Sequence, residues 1–286
     1  MKSTMRHLPA SSTLSALLLL SAFLTIPSLA QKSKMTAATT LTTLPMGTTL
    51  PVQINHAFCA GSVKPGTTII AVTTQRIPIS PKLYLNGGAH IIGTVITSTH
   101  SNKAAAQPAT LTIRFTTIRY RHQAIPIATR AIAIANFTDV DDTALPANGS
   151  TDRGNPNSAS WTTRQIGGDE VSRSGWIGPV VDSTMHTVGF ADYFGVYADP
   201  PAQSSASPAI PHAIGVFSTT ARGLYGFDEG AALSSAYGEI TITSPHNLIL
   251  RNGDNLLLQI IDPTPNRPAT SAITGQRINP SPIALN

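Results

Sequence analysis

Apolar and polar residues alternate most regularly over 109–120, where Leu111, Ile113 and Phe115 are interleaved with Thr112, Arg114 and Thr116. A period of two turns every second side chain to one side, so this stretch is predicted to be a strand with one buried face. Similar runs occupy 49–55, 67–74, 89–97 and 125–135. Between them stand Lys64-Pro65-Gly66, Asn86-Gly87-Gly88 and Arg121-His122-Gln123, which supply turn chemistry. β-Branched residues are dense and no segment keeps helical spacing. Five strands joined by short turns imply an antiparallel meander.

The pattern breaks at Asp139. Residues 139–175 are rich in Asp, Asn, Gly and Ser and poor in apolar side chains. Such a stretch cannot build a core of its own and reads as a long polar loop. Over 176–198, Trp176, Val180, Val181, Val188, Phe190, Tyr193, Phe194 and Tyr197 are interrupted by Gly178, Gly189 and Gly195. Short strands and a docked loop both fit that pattern. A Pro/Ser/Ala linker covers 200–211, and strands resume at 213–218, 239–243, 247–250 and 255–261. Arg251-Asn252-Gly253-Asp254 is the strongest hairpin signal, because Asn-Gly suits the positive φ angles of a type I′ turn. The expected fold is therefore all-β: an antiparallel, barrel-like meander closed by a C-terminal hairpin and carrying a long polar loop insertion. It would form a single domain over 47–262, divided into a first β block (47–138), a loop-rich insertion (139–211) and a second β block (212–262).

The ends of the chain read differently. Lys2, Arg6 and His7 precede an apolar run over 14–26, and Ser28-Leu29-Ala30 places small residues before Gln31. That order is a secretory signal peptide over 1–30, shorter than a bilayer span. The expectation is an exported protein, periplasmic or extracellular, with no later transmembrane segment. Residues 31–46 read as a flexible leader and 263–286 as a disordered tail.

Charge adds little. The chain holds 19 basic and 14 acidic residues, and loss of Lys2 and Arg6 with the signal lowers the net charge from +5 by two. Arg114, Arg119 and Arg121 are the densest basic group, and strict alternation would scatter them over both faces. Nucleic-acid binding needs a concentrated basic patch, so that class is set aside. The single cysteine, Cys59, excludes an intrachain disulfide and reads as a small strand residue.

The search for chemistry yields candidates without a complete motif. No Gly-x-Ser-x-Gly occurs. His56, His90, His100, His122, His186, His212 and His246 stand at least about ten residues apart, unlike the short spacings of zinc sites. Asp139, Asp141, Asp142, Asn148 and Asp152 offer hard oxygen ligands, but a calcium loop needs Gly and Glu where Ala144 and Ser150 stand. The acid pairs Asp169-Glu170 and Asp228-Glu229 could serve glycoside hydrolysis, with Trp161, Trp176, Tyr193, Tyr197, Tyr225 and Tyr237 as sugar platforms. None of these is assigned a catalytic, cofactor-binding or metal-binding role, and no cofactor is expected.

Val63-Lys64-Pro65-Gly66 leading into Ile69-Ile70-Ala71-Val72, then Leu85-Asn86-Gly87-Gly88-Ala89-His90-Ile91-Ile92-Gly93, resembles the β-barrel domain of TrbI-like conjugal transfer proteins of type IV secretion systems. The likeness covers about 47–136 and 239–261 and implies a barrel, in which Gly93 permits a bend or a close approach. That family carries a membrane anchor and a helical antenna; here a signal peptide and the polar 139–211 stretch stand instead. Gln165-Ile166-Gly167-Gly168, Val216-Phe217-Ser218, Gly223-Leu224-Tyr225-Gly226 and Tyr237-Gly238-Glu239-Ile240 are similar to secreted β-proteins of acidobacterial type, a likeness that implies no activity. The preferred expectation is a structural or interaction role in the cell envelope, without catalysis. Partners would be envelope proteins or glycans. The alternatives are a carbohydrate-active hydrolase, a glycan-binding module or a secretion-channel component.

Overall fold

The structure is a computed structural model, and it describes residues 41–143, 161–168, 170–173, 177–198 and 210–262. The expected signal peptide (1–30), most of the expected leader (31–46) and the expected tail (263–286) lie outside the described residues. The first block folds into β1 (Thr49–Ile54), β2 (Phe58–Cys59), β3 (Thr68–Thr73), β4 (Ile77–Ser80), β5 (Leu83–Leu85), β6 (His90–Thr99), β7 (Ala109–Tyr120), β8 (Gln123–Pro126) and β9 (Thr129–Ala135). A short helix α1 (Phe137–Asp142) follows. The second block contains β16 (Gly223–Tyr225), β17 (Ala232–Ala236), β18 (Glu239–Ser244), β19 (Ile249–Leu250) and β20 (Asn255–Ile260).

Both blocks build one sheet, in the order β16-β9-β20-β1-β3-β6-β7-β18-β17, with β8 added beside β7. Only the β16–β9 pair is parallel. The sheet curls until β17 lies beside β9, nearly closing a barrel. One seam stays without a ladder and is bridged by the Ala131 amide donating to Ser235 Oγ at 3.1 Å. Inside pack Leu50, Val52, Ile54, Ile69, Ile91, Leu111, Ile113, Phe115, Ile118, Ile240, Ile242, Leu256 and Leu258, all fully buried.

The inward face of β7 changes parity along its length. Leu111, Ile113 and Phe115 point in, and then Ile118 does. The cause is a bulge: Ile92 pairs with Thr117 and Gly93 with Phe115, leaving Thr116 as the extra residue. One extra residue flips every later side chain. Arg119 therefore comes out exposed like Arg114, correcting the expectation that alternation scatters them. Arg114 pairs with Glu239 across the sheet. Gly93 sits opposite the bulge, where an added Cβ would lie 2.6 Å from the Arg114 carbonyl oxygen, so the expected close approach is real.

Two further expectations are corrected. The Arg251–Asp254 turn does not close a hairpin: β19 pairs with β2, while β20 lies between β1 and β9. Gly253 has φ +98° but Asn252 is not in the positive region, so the turn is not type I′. What fixes it is the buried Asp254 carboxylate, which accepts from the Arg251 amide at 2.6 Å and the Phe137 amide at 2.8 Å. Burial raises the Asp254 pKa, with those bonds opposing. The second correction concerns the insertion. Far from being only a polar loop, it carries β10 (Trp161–Arg164), β11 (Glu170–Arg173), β12 (Gly178–Asp182), β13 (Thr187–Asp192) and β14 (Gly195–Ala198), which with β15 (His212–Ala213) form a six-stranded antiparallel sheet. Val171, Val180 and Ala191 give that sheet a small core.

Candidate functional site

The second sheet docks on the barrel through a few specific contacts. Gln75, buried after β3, donates from Nε2 to the Val196 carbonyl at 2.9 Å and accepts from the Val196 amide at 3.0 Å. The Arg76 amide donates to the Phe194 carbonyl at 3.1 Å. The Arg76 guanidinium lies 3.2 Å from the Phe194 ring centroid and 5.3 Å from that of Tyr84, a cation–π arrangement. Thr49 Oγ1 donates to the Ala213 carbonyl at 2.7 Å.

Where the β4–β5 hairpin faces β12, β13 and β14, a cleft of about 560 Å³ opens. Proline and aromatic side chains, including Pro78, Pro81, Tyr84, Pro179 and Phe190, dominate its walls. Among the described residues Asp192 is the one charged residue of its lining, and its Oδ1 accepts from the Phe194 amide at 2.7 Å. Tyr197 also lines it. The Tyr197 ring is 6% exposed and packs into the barrel core, yet its hydroxyl has no partner at ordinary hydrogen-bond length. Burial pushes the Tyr197 pKa up, the Asp192 charge adds to this and Arg76 opposes it. Asp192 is the neighbouring acceptor of that hydroxyl, acting on its pKa by charge and by hydrogen bonding although the two groups stand beyond ordinary hydrogen-bond length.

The other candidates do not converge. Asp228 and Glu229 are exposed. Asp228 stands beside a small polar cleft of about 100 Å³ near the barrel rim, with Oδ2 3.4 Å from Ser244 Oγ and 3.7 Å from His246 Nδ1. Ser244 is buried and its hydroxyl neighbours the carboxylate, so no relay from histidine to serine is set up. Asp169, Trp176, Asn148 and Asp152, and the side chains of Trp161 and Glu170, lie outside the described residues. Tyr193 and Tyr237 are exposed at turns, and the Tyr225 hydroxyl accepts from the Arg222 amide at 2.9 Å. Of the four aromatics read from the sequence whose side chains are described, Tyr193, Tyr197, Tyr225 and Tyr237, Tyr197 lines the large cleft. Tyr84, Phe190 and Asp192, which share it, had no signal beyond their residue type.

Asp139, Asp141 and Asp142 belong to α1 rather than to a loop, and Asn136 caps that helix by accepting from the Asp139 amide at 2.8 Å. Burial and the neighbouring Asp142 raise the Asp139 pKa. Among the described residues no three His, Cys, Asp or Glu side chains gather as a metal set. His186 belongs to an exposed turn with Asp182 and Thr184. Cys59 is half-buried, its Sγ 3.7 Å from the Ala60 carbonyl oxygen. Comparison with protein families, curated proteins and solved structures finds no match for this chain.

His212, next to the cleft residue Pro211, is half-buried and its pKa is lowered by that burial. The unfolded chain takes up the proton first as the pH drops, so stability is complete above the ordinary value of 6.5 and is lost as the pH falls below it. Acidification from about pH 7 to about pH 5 is expected to weaken the β14–β15 pairing, and His212→Gln should flatten that dependence. Urea unfolding at both pH values checks this; an unchanged slope in the variant would contradict it.

Proposed function

We propose that this is an exported, non-catalytic binding protein whose ligand site is the cleft between the β4–β5 hairpin and the second sheet. One observation carries the reading: a cleft of about 560 Å³ is walled largely by proline and aromatic side chains, with the Asp192 carboxylate coupled to Tyr197 on its wall. A large apolar cleft with a few polar groups and a perturbed titratable residue is the general signature of a ligand site. The barrel acts as the rigid support, and the second sheet and the β4–β5 hairpin supply the facing walls. A secretion-channel role would rest on the barrel alone, an architecture that hosts many functions.

Chemically simple probes test the site without assuming its ligand. N-acetylproline methylamide, cyclohexanol and methyl glucoside, each at millimolar concentration, should shift amide resonances of β5, β13 and β14 together. They should be recovered unchanged after long incubation. Shifts spread evenly over the surface, or centred on the Asp228 cleft, would reject the site. Turnover of a probe would reject the non-catalytic part.

A further inference from the structure

We infer that the cleft binds a quaternary ammonium group carried on an apolar body; this rests on the cleft being the ligand site. Tyr84 from the hairpin and Phe190 and Tyr197 from the second sheet share its lining with the Asp192 carboxylate. Strand register explains the grouping. Pro179, Phe190 and Tyr197 are successive cross-strand partners over β12, β13 and β14, and Asp192, two residues beyond Phe190, falls on the same face. Aromatic faces carry partial negative charge, so the rings and the carboxylate attract the same kind of ligand, a cation.

The neighbouring charges agree with this. The joint between hairpin and sheet already holds one cation against its rings, the Arg76 guanidinium on Phe194 and Tyr84. At Tyr197 the Asp192 charge outweighs that of Arg76: after burial, the carboxylate does more to raise the hydroxyl pKa than the guanidinium does to lower it. Lys82, at the hairpin turn, is exposed, where solvent and salt screen its charge. The kind of cation follows from how Asp192 is engaged. Its Oδ1 accepts from the Phe194 amide at 2.7 Å, and the Tyr197 hydroxyl is its neighbour on the cleft wall. Its oxygens serve donors of the protein while its charge still acts across the cleft. An ammonium with N–H donors would compete for those oxygens; a quaternary ammonium has no donors and is held by charge and ring faces alone.

The test titrates the full chain with choline and with the neutral alcohol in which carbon replaces the choline nitrogen, followed through amide resonances of β5, β13 and β14. Saturable shifts are expected, with choline binding about tenfold more tightly, the combined size of a cation–π contact and a partly exposed charge pair. Asp192→Asn keeps an oxygen for the Phe194 amide and removes the charge. It should cut the choline preference to about threefold and leave the alcohol unchanged. Phe190→Leu keeps apolar bulk without a ring face, and should weaken choline about threefold with no effect on the alcohol. Equal binding of the two probes overturns the inference while leaving the cleft as the site. A full preference that survives Asp192→Asn, or choline shifts centred on the Asp228 cleft, also overturns it. If neither of these probes nor the small probes above reach the cleft, both readings fall.

Discussion

Phe115→Ala is expected to destabilise the protein by about 4 kcal/mol, shifting the urea midpoint by roughly 1.5 M. Phe115 is fully buried on β7, at the bulge that flips that strand's facing. Its ring covers Gly93 on β6, where an added Cβ would lie 2.7 Å from Phe115 Cδ1. The ring fills the space that the missing glycine side chain leaves. Phe115→Leu keeps most of the volume and should cost under about 1.5 kcal/mol. Phe190→Ala removes the same side chain from the cleft wall, where it is 44% exposed, and should cost under about 1 kcal/mol. Equal losses at 115 and 190 would mean that the barrel interior is not the dominant core.

The barrel strands were legible because their burial is one-sided and periodic. The 109–120 alternation predicted β7 with its observed bounds, and β1, β3, β6 and β18 differ from expectation by a residue or two at their ends. Pro126 divided the expected 125–135 strand into β8 and β9, since proline cannot donate to a ladder. The second sheet was not legible. Its strands are short, Gly189 and Gly195 interrupt them, and their apolar residues divide between a small core and the cleft, so no face keeps a period of two. The turn at 251–254 misled because Asn-Gly is a local signal, whereas Asp254 answers to a distant partner, the Phe137 amide. The cleft was hidden for the same reason. Tyr84 and Tyr197 are 113 positions apart, and only the docking of two sheets brings them to one wall.

That docking is the most sensitive point of the proposed function. Gln75→Ala is expected to loosen the second sheet from the barrel while leaving the barrel folded. The Gln75 side chain reads both polar groups of Val196, much as a neighbouring strand would. Two hydrogen bonds of about 1 kcal/mol each would be lost, so β13 and β14 should open roughly 30-fold more often. Their amide exchange should accelerate by that factor, with amides of β3, β6 and β7 unaffected. Gln75→Met, of similar length but without the amide, separates hydrogen bonding from packing and should behave like the alanine variant. Because Pro78, Pro81 and Tyr84 come from one side of the joint and Phe190, Asp192 and Tyr197 from the other, opening it separates the two walls. Ligand binding should therefore fall at least tenfold in both variants. Unchanged exchange in β13 and β14 would show that the Arg76–Phe194 stack and the Thr49–Ala213 bond hold the sheets together without Gln75. Faster exchange with binding intact would place the ligand outside the cleft.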